Sequence, residues 1–116
     1  MDIRLRRAYE APGADDGYRV LVDRLWPRGR TKEDLALDAW TRDLAPSAGL
    51  RKWYGHDPDR FEEFRRRYTE ELGGHGDQLD ELRRRAERGR LTLVFAARDP
   101  KLSNAAVLAE VLRARA

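Results

Sequence analysis

The apolar positions of the chain fall into short blocks that predict strands. Residues 3–6 alternate apolar and basic side chains, which is typical of a short, half-exposed strand. Residues 18–22 and 91–97 are apolar without alternation, which indicates strands that are covered on both faces, as in parallel sheets. Residues 38–44 are predicted as a further strand.

The segments between these blocks carry helix signals. Ser47 as N-cap and Gly55 as terminator bracket a helix over 48–54. Asp57 followed by Pro58 predicts the start of a second helix, which ends at Gly73. Its apolar stripe recurs at spacings of three and four: Phe61, Phe64, Tyr68 and Leu72. Two more helices are predicted, one with Leu79, Leu82 and Ala86 that closes at Gly89, and one that Ser103 caps.

Strands that alternate with helices predict one three-layer α/β domain over residues 1–116. Its sheet is expected to be short and mostly parallel, with about four strands flanked by helices. The length of 116 residues suits one domain. No apolar run approaches the roughly 18 residues that a membrane span needs, and the N-terminus has no hydrophobic signal region. We therefore expect a cytoplasmic protein without a membrane segment.

Composition removes several kinds of chemistry. The chain has no cysteine, which excludes thiol catalysis, disulfides and thiolate zinc sites. Its two histidines, His56 and His75, lie in different predicted loops without the spacing of a metal motif, so we expect no metal and no cofactor. Basic residues number 24 and acidic residues 21, and because they are interleaved, the net charge of +3 is a weak signal for nucleic-acid binding.

Candidate binding residues follow the predicted strands. In open α/β sheets, ligands bind beyond the carboxyl ends of the strands. If the strands are parallel, the segments 23–30, 45–47 and 98–104 meet at one edge, where two helix N-termini would favour an anion. Arginine side chains there could bind phosphate or carboxylate in a bidentate manner. The predicted ligand-binding residues are Arg24, Trp26, Arg28, Ser47, Arg51, Arg98, Ser103 and Asn104.

Three side chains are candidates for acid–base catalysis, although the sequence leaves open whether the protein is an enzyme. They are Asp23, His56 and Asp99, since carboxylates and imidazoles are common general acids and bases. Structural alternatives stand beside these roles. Asp23 could form an ion pair with Arg24, Asp99 could belong only to a turn, and Trp26 could be a packing residue.

Residues 19–29, with the sequence Arg-Val-Leu-Val-Asp-Arg-Leu-Trp-Pro-Arg-Gly, resemble the signature of the YeaO-like branch of the domain-of-unknown-function 488 family. Matching segments follow in order over nearly the whole chain: 38–40, 45–47, 50–53, His56, Phe64, Tyr68, 71–72, 97–99 and 104–108. The resemblance implies a small α/β cytoplasmic protein and no particular activity. Other branches carry a cysteine and a Cys-His-Arg triplet where this chain has Phe95 and residues 103–105, so it implies no thiol or metal chemistry here.

Two functional hypotheses follow. The first is a domain, with or without enzymatic activity, that binds a phosphorylated or other anionic small molecule in a cleft lined by arginine and tryptophan. The second is a nucleic-acid-binding module or transcriptional regulator that uses Arg4, Arg6, Arg7 and the arginines of 83–90. The grouping of tryptophan and arginine after the second strand favours the first. The ligand, the reaction and the oligomeric state are left open.

Overall fold

The structure is a computed structural model that describes residues 1–114. Its elements are β1 (Asp2–Arg7), β2 (Tyr18–Leu21), α1 (Lys32–Leu35), β3 (Ala39–Trp40), α2 (Ala48–Tyr54), α3 (Phe61–Leu72), α4 (Gly76–Arg88), β4 (Arg90–Phe95) and α5 (Asn104–Arg113). Short 3-10 turns cover Arg42–Leu44, Pro58–Arg60 and Pro100–Leu102.

The four strands form one sheet in the order β1-β4-β2-β3. All pairings among residues 1–114 are parallel, with Ile3 opposite Leu91 and Val20 opposite Leu93. The predicted α/β class and mostly parallel sheet are thereby confirmed. Because every strand runs the same way, the segments that follow β2 and β4 leave the sheet at the same edge.

The two faces of the sheet are covered to different depths. On one face, Val20 and Leu93 pack into a large core that includes apolar side chains of α2, α3, α4 and α5. On the other face, Leu21 and Val94 form a smaller cluster with Leu35 of α1 and with residues of the loops around it. The central strands β2 and β4 are therefore buried on both sides, as their continuous apolar pattern predicts.

A buried ion pair lies beside the smaller cluster. Arg19 of β2 donates from Nη1 to Asp16 Oδ2 at 2.6 Å and from Nε to the Leu35 carbonyl oxygen at 2.9 Å. Both side chains are about 5% exposed. Gly17 between them has a φ of +68°, and a Cβ there would overlap the Arg90 carbonyl oxygen. This arrangement fixes the loop before β2 and α1 against the sheet.

The strand predicted over 38–44 is wrong in its extent. Only Ala39–Trp40 pairs with β2, and Arg42–Leu44 forms a 3-10 turn. The chain turns after Thr41, whose N–H makes the last backbone hydrogen bond to Leu21 at 3.0 Å. The Trp40 indole donates to the Asp23 carbonyl oxygen at 2.7 Å, so this segment is held by side-chain contacts rather than by a longer strand.

The predicted helix starts after Ser47 and Ser103 are confirmed. Ser47 Oγ accepts from the Leu50 N–H at 3.2 Å, and Ser103 Oγ accepts from the Ala106 N–H at 3.1 Å. Asp57 caps the 3-10 turn at Pro58–Arg60 that leads into α3. Within residues 1–114, no helix has the length and apolar character that crossing a membrane requires. The cytoplasmic location stays a prediction.

Candidate functional site

A cleft of about 710 Å³ opens at the carboxyl ends of β2 and β4. The segments that follow these two strands meet there, as the parallel sheet requires. All but two of the candidate residues line the cleft: Asp23, Arg24, Trp26, Arg28, Arg51, His56, Arg98, Asp99 and Asn104. The structure therefore brings together side chains that are up to 81 positions apart in sequence, from Asp23 to Asn104.

The cleft begins where the β2–β4 ladder is interrupted by two side chains. The Val22 N–H donates to the Val94 carbonyl oxygen at 3.0 Å, and the next parallel bond would join the Ala96 N–H to the Val22 carbonyl oxygen. Instead, Ala96 N–H donates to Asp23 Oδ2 at 2.9 Å, and Asn104 Nδ2 donates to the Val22 oxygen at 3.0 Å. Both backbone groups stay satisfied while the strands separate.

Asp23 lies in an environment that opposes its charge. Burial raises the pKa of the Asp23 carboxyl above its ordinary value, although the Ala96 N–H, the Asn104 amide and the His56 imidazole act in the opposite direction. An ion pair between Asp23 and Arg24, the structural alternative, is not among the ion pairs of residues 1–114; Arg24 Nε instead donates to the Pro46 carbonyl oxygen at 3.1 Å. Asp23 can therefore serve as a hydrogen-bond acceptor when ionised and as a donor when protonated.

We expect Asp23→Asn to melt at a higher temperature than the unsubstituted protein at pH 7. A carboxyl whose pKa is raised on folding stabilises the fold most at low pH, and that contribution declines as pH rises from 3.8 to the raised pKa. The neutral amide still accepts from the Ala96 N–H and is free of this loss. Thermal unfolding can be measured from pH 3.5 to 7.5. The difference in melting temperature between Asp23→Asn and the unsubstituted protein should be near zero at the acidic end and grow with pH. A variant that is less stable at neutral pH would contradict it.

The other two acid–base candidates lie closer to solvent. Asp99 is exposed, and its carboxylate accepts from the Lys101 N–H at 2.9 Å, which caps the turn at Pro100–Leu102. His56 is exposed and has a φ of +57°, directly after the left-handed Gly55 that ends α2. Its ring centroid is 5.8 Å from that of Tyr54. Both residues line the cleft, but the Asp99 carboxylate is also engaged in capping the turn.

Arg24, Arg28, Arg51 and Arg98 line the cleft and share one property: none forms an ion pair with a carboxylate of residues 1–114. Most arginines on α3 and α4 are instead paired with acids. Arg66 on α3 contacts Glu63 and Glu70, both at 2.6 Å, and arginines on α4 contact Asp80 and Glu81. The cleft therefore concentrates guanidinium groups whose charge the described part of the protein leaves without a carboxylate.

The walls of the cleft are aromatic and apolar. Phe64 stacks on Tyr54 with ring centroids 4.2 Å apart, and both line the cleft. Trp26 is fixed by its indole N–H, which donates to the Arg30 carbonyl oxygen at 2.6 Å, and by an edge-on contact with Trp40. The sequence pattern indicates that Tyr54 and Phe64 face the core. It has no signal that the core opens into a cleft at that point.

Ser47 and Ser103 lie outside the cleft lining. Ser47 donates from its backbone N–H and its hydroxyl to the Glu71 carboxylate, at 2.8 and 2.6 Å. Ser103 is buried, and its hydroxyl donates to the Pro100 carbonyl oxygen at 2.7 Å. Both hydroxyls also cap helices, so the hydrogen bonds that a ligand would need are already made within the protein.

The parallel sheet and its helices define a small α/β protein with a cleft at the carboxyl ends of the strands. The family model described as "Inactive DUF488-N3 subclade" matches residues 2–116, and the chain belongs to this family. The resemblance to the YeaO-like branch is thereby confirmed. No group of three or more potential ligands that could hold a metal ion is present among residues 1–114.

Relatives match over almost their full length. The chain is 49% identical over 113 residues to "Uncharacterized protein Rv3073c" of Mycobacterium tuberculosis, which covers 97% of this chain and 95% of the relative. It is 42% identical over 113 residues to "Uncharacterized protein YeaO" of Escherichia coli, with 97% and 98% covered. No solved structure shows a significant match to the chain.

Proposed function

We propose that this protein binds an anionic small molecule, with a phosphate or carboxylate group, in the cleft at the carboxyl ends of β2 and β4. The observation that carries the proposal is the set of four cleft arginines without a carboxylate partner among residues 1–114. Guanidinium groups suit this role because they can donate two parallel hydrogen bonds to one phosphate or carboxylate. In a partly enclosed cleft, such pairs are screened less than on an open surface.

Most of the arginines that the nucleic-acid hypothesis invokes are paired with acids, which disfavours it; Arg7 and Arg88 are the exceptions among residues 1–114. Arg4 contacts Asp2 at 3.5 Å, and Arg6 contacts Asp16 at 3.2 Å. On α4, Arg83 contacts Asp80 at 3.0 Å, and Arg84 contacts Glu81 at 2.9 Å. Nucleic-acid affinity depends on basic groups that replace counterions on phosphates. Arginines that are already neutralised by neighbouring carboxylates release fewer counterions on binding and therefore add less to nucleic-acid affinity.

The proposed role is binding rather than a defined reaction. The description of the family as an inactive subclade points in this direction. Among the acid–base candidates, the Asp99 carboxylate is engaged in a turn and His56 is exposed. Asp23 is the remaining acid–base candidate, and its half-buried position at the carboxyl ends of the strands fits ligand recognition.

Arg28→Ala is expected to weaken the binding of inorganic phosphate, pyrophosphate or citrate by about tenfold to a hundredfold, because a charge-assisted hydrogen bond is lost. Arg28 is exposed, and its guanidinium forms no hydrogen bond or ion pair within residues 1–114, while the Tyr9 hydroxyl donates to its backbone carbonyl oxygen. The free energy of unfolding should therefore change by less than about 0.5 kcal/mol. Binding can be followed by the rise in melting temperature and by the intrinsic tryptophan fluorescence, to which Trp26 in the cleft lining contributes together with Trp40 and Trp53.

Arg84→Ala is the matched control for this experiment. It removes the same charge from an exposed arginine that lies on α4, outside the cleft, and contacts Glu81. We expect it to bind the same anions as tightly as the unsubstituted protein. Equal weakening by both substitutions would show only a general charge effect. No shift with any of these anions would count against the proposed function.

A further inference from the structure

The cleft is chemically divided along its depth. Arg28, Arg51 and Arg98 are its exposed cationic side chains. Its deeper walls are aromatic, with Tyr54 at 4% and Phe64 at 2% exposure. A ligand that fills the cleft therefore needs an anionic end for the arginines and a flat body for the aromatic walls.

The deeper part also contains a hydrogen-bond acceptor with capacity to spare. Asp23 Oδ2 accepts from the Ala96 N–H at 2.9 Å, and the Asn104 amide lies beside the carboxyl. An ionised carboxylate offers about four acceptor positions, so further donors can be accommodated. Among residues 1–114, no arginine or lysine forms an ion pair with Asp23. A ligand without a donor would bury this acceptor without a new partner, which is unfavourable.

We propose that the ligand is a nucleotide whose base donates an N–H to Asp23 while its phosphate group contacts the cleft arginines. This inference rests on the proposed function and adds the class of ligand. A nucleobase is flat, stacks on aromatic side chains and carries N–H donors on its edge. A sugar phosphate without a base meets only the arginines. An aryl phosphate meets the walls as well but brings no donor to Asp23.

The test compares AMP, GMP, CMP and UMP with ribose 5-phosphate and phenyl phosphate, by isothermal titration calorimetry on the full chain. At least one nucleotide is expected to bind about tenfold or more tightly than both base-free phosphates, because only a nucleotide donates an N–H to the half-buried Asp23 carboxylate. In Asp23→Asn, the amide oxygen can keep the Ala96 N–H, so the NH₂ group faces the ligand. That variant should lose about tenfold in nucleotide affinity and change ribose 5-phosphate binding by less than about twofold.

Asp59→Asn is the matched control. It removes the same charge from an exposed carboxylate outside the cleft, and it should keep the full preference for the nucleotide. Nucleotides that bind no more tightly than ribose 5-phosphate would overturn the nucleotide assignment and leave the anion site standing. A preference that survives in folded Asp23→Asn would overturn the role of Asp23. Failure of every phosphate to bind would remove the proposed function together with this inference. The comparison in the unsubstituted protein needs no variant to fold.

Discussion

Asp16→Ala is expected to lower the free energy of unfolding by about 3–5 kcal/mol, which is typical when one partner of a buried ion pair is removed. Asp16 and Arg19 have side chains that are about 5% exposed, and their contact is 2.6 Å. Without the carboxylate, the Arg19 guanidinium stays buried with only its bond to the Leu35 carbonyl oxygen. Its Nη2 atom already lacks a hydrogen-bond partner. Urea denaturation at pH 7 measures the loss.

A double variant separates the charge effect from loss of packing. Asp16→Ala with Arg19→Met replaces the pair by apolar groups, and such replacements of buried ion pairs are often neutral or stabilising. We expect the double variant to recover most of the stability that Asp16→Ala loses. If Asp16→Ala lowers the free energy of unfolding by less than about 1 kcal/mol, the pair contributes no more than an exposed ion pair does, and the prediction is wrong.

The same pair should contribute to acid sensitivity. Burial alone would raise the pKa of the Asp16 carboxyl, but the Gly13 N–H and the guanidinium groups of Arg19 and Arg6 hold it below its ordinary value of 3.8. A carboxyl whose pKa is lowered on folding stabilises the protein above 3.8, and this contribution is lost as pH falls further. The stability difference between Asp16→Ala and the unsubstituted protein should therefore shrink below pH 4.

The sequence predicts the sheet well where burial decides the structure. Residues 18–22 and 91–97 have to be covered on both faces, and the strands that form there, Tyr18–Leu21 and Arg90–Phe95, are central. The segment 38–44 lies at the sheet edge, where the Trp40 indole and the turn after Thr41 decide its shape. The one-turn helix α1 went unpredicted, although Thr31 and Asp34 form a capping box that sequence spacing could have shown.

The candidate site was predictable to the extent that it follows from strand direction. Parallel strands bring Asp23, Arg98 and Asn104 to one edge whatever their spacing in the chain. The spacing of residues in the sequence cannot show which polar groups are already hydrogen-bonded within the protein. Ser47 is bonded to Glu71, 24 positions away, and the cleft opens because Asp23 and Asn104 replace one backbone bond. These contacts depend on tertiary packing, which no local pattern encodes.

Phe64→Ala should destabilise the protein by about 3–5 kcal/mol, as large-to-small substitutions of buried aromatic residues do. Phe64 is 2% exposed, and it stacks on Tyr54 at 4.2 Å between centroids. The same ring lines the cleft, so its removal also enlarges the space that a ligand must fill. Tyr54 then loses the ring that holds it in position to donate its hydroxyl to the Leu102 carbonyl oxygen. We expect weaker nucleotide binding together with the loss of stability, because the aromatic walls receive the base, and both can be measured by urea denaturation and by titration with AMP, GMP, CMP and UMP.

Phe61→Ala distinguishes these two effects. Phe61 lies on the same helix and is 5% exposed, but it does not line the cleft. Its substitution should also destabilise the protein by about 3–5 kcal/mol, while the folded fraction binds anions with unchanged affinity. Equal effects of both substitutions on affinity would mean that binding only follows global stability. Weaker binding in Phe64→Ala but not in Phe61→Ala would instead show that the Phe64 ring has two roles. It packs α3 into the larger core, and it shapes the cleft.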